Sequence, residues 1–351
     1  MKKLFRFCAG LKAALLSFLF ASCVHQWPEP AEAGLVLNLH IDKAIPQGPV
    51  YDAGTRAAEG SDKYDLRYII QAYKKNSNGT YEENAYARFV MSKDDINDPD
   101  FTARISIMEG EYRFMVWSDY VLQGTVDDYY YNADNFKYVK LYGRDEGRKH
   151  VGNDDYRDAY MGSADIEVIR FGGSRPPVTA DINLSRPMSK IVFITTDLED
   201  WKTKVITNHY QSALQNAKPG ESVEVMKDVD LSQYTVKLHY PVYMPNAFNM
   251  ISDRTAWSDV NVTFDSEIIQ LSDTEASLGF DYVFVNTEDA SALMAVSLYD
   301  KNGTQLARSK DIPIPLERGK VTTVVGSFLL EESDGGVSIN PDFDGEFNIV
   351  I

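Results

Sequence analysis

The stretch GLVLNLHI, residues 34–41, decides the fold class. One side of it would carry only aliphatic residues, namely Leu35, Leu37, Leu39 and Ile41. The other side would carry Val36, Asn38 and His40. A period of two residues is typical of a β-strand that buries one face and exposes the other. We therefore expect a strand here, with its leucine face in a core.

The same alternation returns along most of the chain, between clusters of turn residues. Before residue 187 the strand-like segments are 66–73, 85–91, 101–107, 112–118 and 178–184. After it they are 190–195, 234–240, 260–264, 280–285, 293–299, 305–308, 321–329 and 347–351. Only residues 198–215 have a helical pattern, and residues 122–163 have no sustained period and predict an irregular insertion. Many short strands with few helices predict an all-β protein built of antiparallel β-sandwiches.

The joint between two such sandwiches is predicted at Pro187, because proline cannot donate to a central ladder and its predecessor is pushed to an extended conformation. The predicted domains are residues 34–186 and residues 187–351. A folded part of this length normally divides into two domains.

The first 22 residues have the pattern of an export signal. A basic start with Lys2, Lys3 and Arg6 precedes a short apolar run, and Ala21-Ser22-Cys23 closes the segment. The run is too short for a stable transmembrane helix, which takes about 20 apolar residues. We expect residues 1–22 to be a lipoprotein signal peptide and residues 23–33 to be a polar tether.

Cys23 is the predicted site of lipid attachment. The chain has two cysteines, and Cys8 lies inside the segment that would be removed, so Cys23 would have no disulfide partner. Fatty acyl chains such as palmitate contribute about 0.8 kcal/mol per buried CH₂, and two chains make anchoring stable. The sequence thus predicts a lipoprotein on the outer membrane or cell surface.

Charge and motifs exclude several classes of function. The formal charge is −17, and removal of Lys2, Lys3, Arg6 and Lys12 with the signal peptide makes it −21. Nucleic-acid binding needs clustered basic residues, so no nucleic acid is expected as a partner. No motif for nucleophilic, zinc or phosphate chemistry is present, and the five histidines have no metal-ligand spacing. We expect no enzyme activity, no cofactor and no metal.

Several segments, in this order, resemble the fimbrillin and fimbrial-anchor superfamily of Bacteroidia, the lipoprotein subunits of type V pili. They are Cys23 with its preceding residues, and residues 112–119, 183–191, 311–316, 320–326 and 339–347. The resemblance implies two tandem transthyretin-like β-sandwich domains and a structural role in a fimbria, with adhesion to ligands on a host surface or a partner bacterium. It also implies that other fimbrial subunits are partners by strand donation, an adhesive use of β-augmentation.

In stalk members of that superfamily, an arginine-specific protease cuts after the first strand. Arg56, followed by Ala57, has the matching position in the loop of residues 46–62. An ordinary solvated loop arginine is the other interpretation. Because Arg56 is the sole candidate in this loop and its neighbours do not extend it into a strong site, we favour an anchor or accessory subunit that keeps its first strand.

A glycan-binding surface lipoprotein is the alternative function. Aromatic side chains can stack on sugar rings, and a set of them that we expect to be exposed falls in or near the irregular insertion. The set consists of Trp117, Tyr120, Tyr129, Tyr130, Tyr131, Tyr138 and Tyr142. The competing interpretation is that about half of these rings cover the sheet.

Overall fold

The computed structural model describes residues 34–42, 61–142, 147–169, 176–219, 221–287 and 290–330, and the backbone of residues 338–339 and 346–350. The strands before residue 187 are β1 (Leu35–Ile41), β2 (Tyr64–Lys74), β3 (Ala87–Lys93), β4 (Asp100–Ile105), β5 (Gly110–Leu122), β6 (Tyr131–Asn132), β7 (Val139–Leu141), β8 (Ala159–Val168) and β9 (Val178–Leu184). These strands account for most of the described residues in this half. The predicted all-β class is confirmed here.

The chain continues with β10 (Met188–Thr195) and the helix α1 (Leu198–Asn216), which confirms the predicted helix. The later strands are β11 (Tyr234–Tyr240), β12 (Met244–Asn249), β13 (Arg254–Asp259), β14 (Val262–Ser266), β15 (Ile269–Gln270), β16 (Ala276–Phe284), β17 (Ala290–Asp300), β18 (Gln305–Arg308), β19 (Ile312–Leu316), β20 (Val321–Gly326), β21 (Ser338–Ile339) and β22 (Glu346–Val350). The pairs β1–β9, β10–β20 and β20–β22 are parallel, and the other ladders are antiparallel.

Two sheets enclose the first core. One is antiparallel with strand order β3-β2-β5-β8, and the other has the order β4-β1-β9. Leu37 of β1, Tyr68 of β2 and Phe114 of β5 are fully buried in one apolar cluster, whose buried members all come from residues 35–184. Burial of one face explains the period of two in β4 and β9, whereas β2 and β5 are buried on both faces.

The second core lies between a six-stranded sheet of order β15-β16-β10-β20-β22-β21 and a sheet of order β14-β11-β17-β18, with β19 also paired to β17. A further sheet, β13-β12-β7-β6, combines strands from before and after residue 187. Trp117 and Tyr131 accordingly belong to the same apolar cluster as Phe193 and Phe284. Arg186 and Pro187 lie between β9 and β10, and the division into two domains there stays a prediction.

Buried charges join the segment before β8 to the second core. The carboxylate of Asp281 in β16 lies 2.8 Å from Nε2 of His150 and accepts hydrogen bonds from Arg157 and from the Tyr240 hydroxyl. The side chains of His150, Arg157 and Asp281 are at most 4% exposed. Removing one partner of such a set leaves an uncompensated buried charge, so this contact fixes the segment to β16.

The interpretation of residues 122–163 as an irregular insertion is wrong in part. β6, β7 and the start of β8 fall within it, and β12 and β13 were also not predicted as strands. β8 is rich in small and polar residues, and its Gly162 lies where a Cβ would clash with the backbone oxygen of Asn183. Such a glycine marks a close approach of two backbones, which alternation of apolar residues does not reveal.

Candidate functional site: the slot that holds the first strand

β1 lies in the middle of its sheet, between β4 and β9. Its antiparallel register with β4 runs from Leu35 opposite Ile105 to His40 opposite Asp100. Its parallel register with β9 runs from Leu35 beside Val178 to Ile41 beside Leu184. We call the space between β4 and β9 the β1 slot. Among the described residues, β4 and β9 form ladders with β1 alone.

The inner face of β1 is apolar, as its sequence predicts. Leu35, Leu37 and Leu39 are fully buried and Ile41 is 5% exposed. Leu37 stands between Ala103 of β4 and Ala180 of β9 in the two registers. Burying an aliphatic side chain of this size contributes about 1.5–3 kcal/mol, so the row of four is a substantial part of what holds the strand.

The outer face of β1 carries a polar row that crosses the sheet. The Asn38 amide donates to Asp181 of β9 at 2.9 Å and accepts from the Thr102 hydroxyl of β4 at 3.2 Å. Nδ1 of His40 lies 2.9 Å from the Asp100 carboxylate, and its Nε2 lies 3.7 Å from Asp181. Side chains directly opposed on one face of a sheet stabilise its register in this way.

The pKa of His40 is raised above its ordinary value. The hydrogen bond to Asp100 is the largest cause, and the charges of Asp100 and Asp181 add to it, while partial burial opposes it. The protonated ring donates to Asp100 of β4 and forms a longer ion pair with Asp181 of β9. The polar row is therefore strongest when His40 is charged.

The end of β1 is fastened to the segment that leads into β10. The Asp42 amide donates to the Leu184 carbonyl at 3.0 Å. The Arg186 guanidinium donates to the Asp42 carbonyl at 3.2 Å and to the buried carboxylate of Asp158 at 2.8 Å. The sequence offered no signal for this fastening, because its partners lie far apart in the chain.

The predicted site residues Cys23, Arg56 and Ala57 lie outside the described residues. Along the chain, β1 stands between Cys23 and Arg56. A cut after Arg56 would therefore separate both β1 and Cys23 from the rest of the protein. The lipid attachment and the cleavage stay predictions.

The aromatic set proposed for sugar stacking does not form one exposed cluster. Trp117, Tyr120 and Tyr131 are buried at 0%, 9% and 1% exposure, and Trp117 packs edge-on against Tyr131 at 5.5 Å between ring centroids. Tyr138 and Tyr142, at 46% and 37%, are exposed. The interpretation of Trp117, Tyr120 and Tyr131 as exposed is wrong, because Tyr120 packs in the first core and Trp117 and Tyr131 pack in the second.

Two further properties concern the described part of the chain. It contains no helix that is both long and apolar enough to cross a bilayer. Within the same residues, no group of three or more histidine, cysteine, aspartate or glutamate side chains is arranged to hold a metal ion.

Two solved structures illustrate what the chain is similar to. One is the fimbrial anchor protein Mfa2 from Porphyromonas gingivalis, at 13% identity and a TM-score of 0.39, with 79% of this chain and 81% of that chain covered. The other is a fimbrial assembly protein from Parabacteroides distasonis, at 10% identity and a TM-score of 0.36, with 87% and 93% covered.

No curated protein matches the sequence. A family model described as a family of unknown function, DUF6562, matches residues 30–351. The match spans nearly the whole chain, from the predicted tether through every strand described above. The chain therefore belongs to the DUF6562 family.

Proposed function

We propose that this chain is a structural subunit of a cell-surface fimbria, in an anchor or accessory position, and that its fimbria assembles by β-strand exchange and mediates adhesion. The observation that carries the proposal is the β1 slot. One short strand near the N-terminus supplies the central ladder of a sheet and four side chains of a core. Strand addition between subunits uses the same two elements, main-chain hydrogen bonds and pockets for alternate side chains.

The slot explains why such a strand must be kept or replaced. β4 and β9 have no other ladder partner in the described part of the chain, so a vacant slot would leave two rows of unpaired backbone groups. It would also open a channel lined by Ala103, Ile105, Ile182 and Leu184. A vacant slot therefore favours the binding of a strand from another subunit, and an occupied slot prevents it.

An anchor or accessory position follows if β1 remains in place. The occupied slot ends the fibre on this side, and the uncut chain keeps Cys23 with its lipid at the outer membrane. A stalk subunit would instead be cut after Arg56 and would lose both. The proposal places the protein at the cell surface, with other fimbrial subunits as partners and a ligand on a host or partner bacterium as the target of adhesion.

Intact-mass analysis of the protein from native cell envelopes tests the anchor position. The expected N-terminus is acylated Cys23, both in the wild type and in an Arg56→Ala variant, because the anchor interpretation requires no cut. A wild-type protein that begins at Ala57, with Arg56→Ala uncut, would assign the chain to the stalk or tip instead. A fatty-acid analogue that still labels a Cys23→Ala variant would contradict lipid attachment at Cys23.

Membership in a fimbria is tested separately by electron microscopy of the native cell surface with a gold-labelled antibody against this chain. We expect gold on filaments, concentrated at their membrane ends. Gold spread over the membrane without filaments, in cells whose other surface fibres are visible, would contradict the fimbrial function.

A further inference from the structure

A second site lies apart from the β1 slot, where the segment before β8 meets β14. Residues 147–152 form one wall of an open cleft of about 670 Å³, and residues 260–265 with Lys237 form the opposite wall. This volume falls in the usual range for ligand sites, about 300–1,000 Å³.

The cleft is basic, although the chain as a whole is strongly acidic. Arg148 and Lys149 line one wall and Lys237 lines the other, with Asp265 as the acidic side chain of the lining. Asp265 lies 3.5 Å from Lys237, and the two side chains are 70% and 39% exposed. A pair so exposed is held weakly, which leaves Lys237 able to contact a ligand. In a protein with formal charge −17, such a cleft gathers basic side chains in one place.

The walls are preformed by close packing. Phe264, which forms the floor, is 3% exposed, and Gly152 lies so close to its ring that a Cβ there would clash with it. His150 lines the cleft but its ring is held by the buried carboxylate of Asp281. The wall of residues 147–152 is thus fixed to the core on one side and to the floor on the other, and a ligand would find the cations already placed.

The rim of the cleft carries apolar surface, and one aromatic ring packs on a cation of its lining. Val151 and Val260 are 59% and 58% exposed. The Arg148 guanidinium lies 4.8 Å from the ring centroid of Tyr142, which holds it by a cation–π contact.

We propose that this cleft binds an anionic polysaccharide, a chain of sugar rings that carries carboxylates or sulfates. The three cations would contact the acidic groups, and Val151 and Val260 of the rim would contact the apolar faces of the sugars. Elsewhere the acidic surface repels a polyanion, so the charge pattern directs such a chain to this cleft. The inference stands on the cleft alone and does not depend on assembly into a fimbria.

Isothermal titration calorimetry of the full mature protein against four polymers tests the inference. Polygalacturonate carries carboxylates, dextran sulfate carries sulfates, dextran is the neutral form of the same backbone, and poly-glutamate is an acidic peptide. We expect binding of polygalacturonate, dextran sulfate or both, weakening as salt is added, and no binding of dextran or poly-glutamate. Absence of binding to both anionic glycans, or equal binding of poly-glutamate, would overturn the inference.

Charge reversal locates the site. Lys149→Glu and Lys237→Glu should each weaken binding about tenfold or more, the loss of one hydrogen bond to a charged group. Lys204→Glu, a matched reversal at an exposed position of α1 outside the cleft lining, should leave the affinity unchanged. Equal weakening in all three variants would indicate a response to net charge and would overturn the site. Thermal unfolding of each variant checks that these surface changes leave the fold intact.

Discussion

The sheets that hold β1 and β10 share one plan. β1 lies between the antiparallel β4 and the parallel β9, and β10 lies between the antiparallel β16 and the parallel β20. In both cases the central strand comes first in the chain and its parallel neighbour comes later. The two halves of the molecule therefore place an early strand at the centre of a sheet in the same manner.

The surroundings of the two strands differ. β16 and β20 carry further strands on their outer sides, β15 and β22, while the described residues add no ladder beyond β4 or β9. The outer face of β10 also contacts the segment before β8, because Lys190 of β10 donates a hydrogen bond to Asp155 at 2.6 Å. β1 presents Asn38 and His40 outward instead. β10 is thus packed against other elements on all sides, and β1 is held by two ladders, one apolar face, its polar row and the contacts of Asp42.

A strand can be central in its sheet and still have few other elements that depend on it. The contacts of β1 lie in the smaller apolar cluster, whose buried members all precede residue 187, whereas β10 belongs to the cluster that spans both halves. Local opening of a protein costs less where fewer elements depend on the part that opens. We therefore expect β1 to detach at a lower free energy than β10.

The first prediction concerns the buried charges beside β10, and its expected effect is the largest. Asp281→Ala should lower the free energy of unfolding by about 3–5 kcal/mol, because it leaves the buried Arg157 without its carboxylate. Burial acts to raise the pKa of Asp281, but the charges of His150 and Arg157 hold it below its ordinary value. Urea unfolding followed by circular dichroism measures the change.

The matched control is Asp165→Ala, which removes the carboxylate of an exposed pair with Arg113 whose side chains are 51% and 45% exposed. Exposed pairs contribute about 0–1 kcal/mol. A loss of similar size in the two variants would contradict the structural importance of the buried charges at β16.

The second prediction concerns β1 itself. Leu37→Ala should lower the free energy of β1 detachment by about 2–5 kcal/mol, the cost of a cavity at a fully buried leucine. Amide hydrogen exchange should accelerate in β1, β4 and β9 and remain unchanged in β10 and β16. The matched variant is Ile191→Ala, at a fully buried position of β10. In this variant, amide exchange should accelerate in the sheet that contains β10 and also in the sheet that contains β1. Faster exchange of β10 in Leu37→Ala would contradict independent detachment.

The faces of β1 and the extent of α1 could be predicted from the sequence because both depend on local periodicity. The four aliphatic residues and the polar row appear on the sides that alternation assigns them. The partners of β1 could not be predicted, since alternation specifies which face is buried and gives no pairing order. Asp100 and Asp181, which flank His40 in the structure, are ordinary surface carboxylates in the sequence.

The burial of the aromatic residues could not be predicted either. Trp117 and Tyr131 lie in segments whose sheets are covered by elements from after residue 187, so their exposure depends on contacts between distant parts of the chain. The basic cleft is a similar case, because Lys149 and Lys237 lie far apart in sequence. Burial of this kind follows from the packing of layers, which composition does not reveal.

The third prediction concerns the close approach of β8 to β9. Gly162→Ala should destabilise the protein by about 1–3 kcal/mol, since its new methyl group would meet the backbone oxygen of Asn183, the residue after Ile182 in β9. Gly124→Ala is a control at a glycine with open space around it and a positive φ, where the cost is about 1 kcal/mol of backbone strain. Thermal unfolding compares the two, and an equal loss would contradict a tight β8–β9 approach.

The smallest expected effect is a pH dependence of β1 detachment. The folded-state pKa of His40 is raised, first by the hydrogen bond to Asp100. Its stabilisation of β1 is therefore fully present below the unfolded pKa, about 6.5, and is lost as the pH rises through the folded pKa. Amide exchange of β1, corrected for its intrinsic pH dependence, should show protection that falls across this window. Because the side chain is 43% exposed, solvent screening keeps the effect small.

Two comparisons separate this effect from other titrations. Asp100→Asn removes the main cause, so NMR titration should give a lower His40 pKa and a flatter pH profile of β1 protection. His239 in β11 provides the opposite case, because burial, followed by the charge of Arg308, lowers its pKa. Its contribution to stability is lost as the pH falls, and it should change exchange in β11 with no effect on β1. Protection of β1 that rises with pH, or that is unchanged in Asp100→Asn, would exclude His40 as the group that fastens the outer face of the strand.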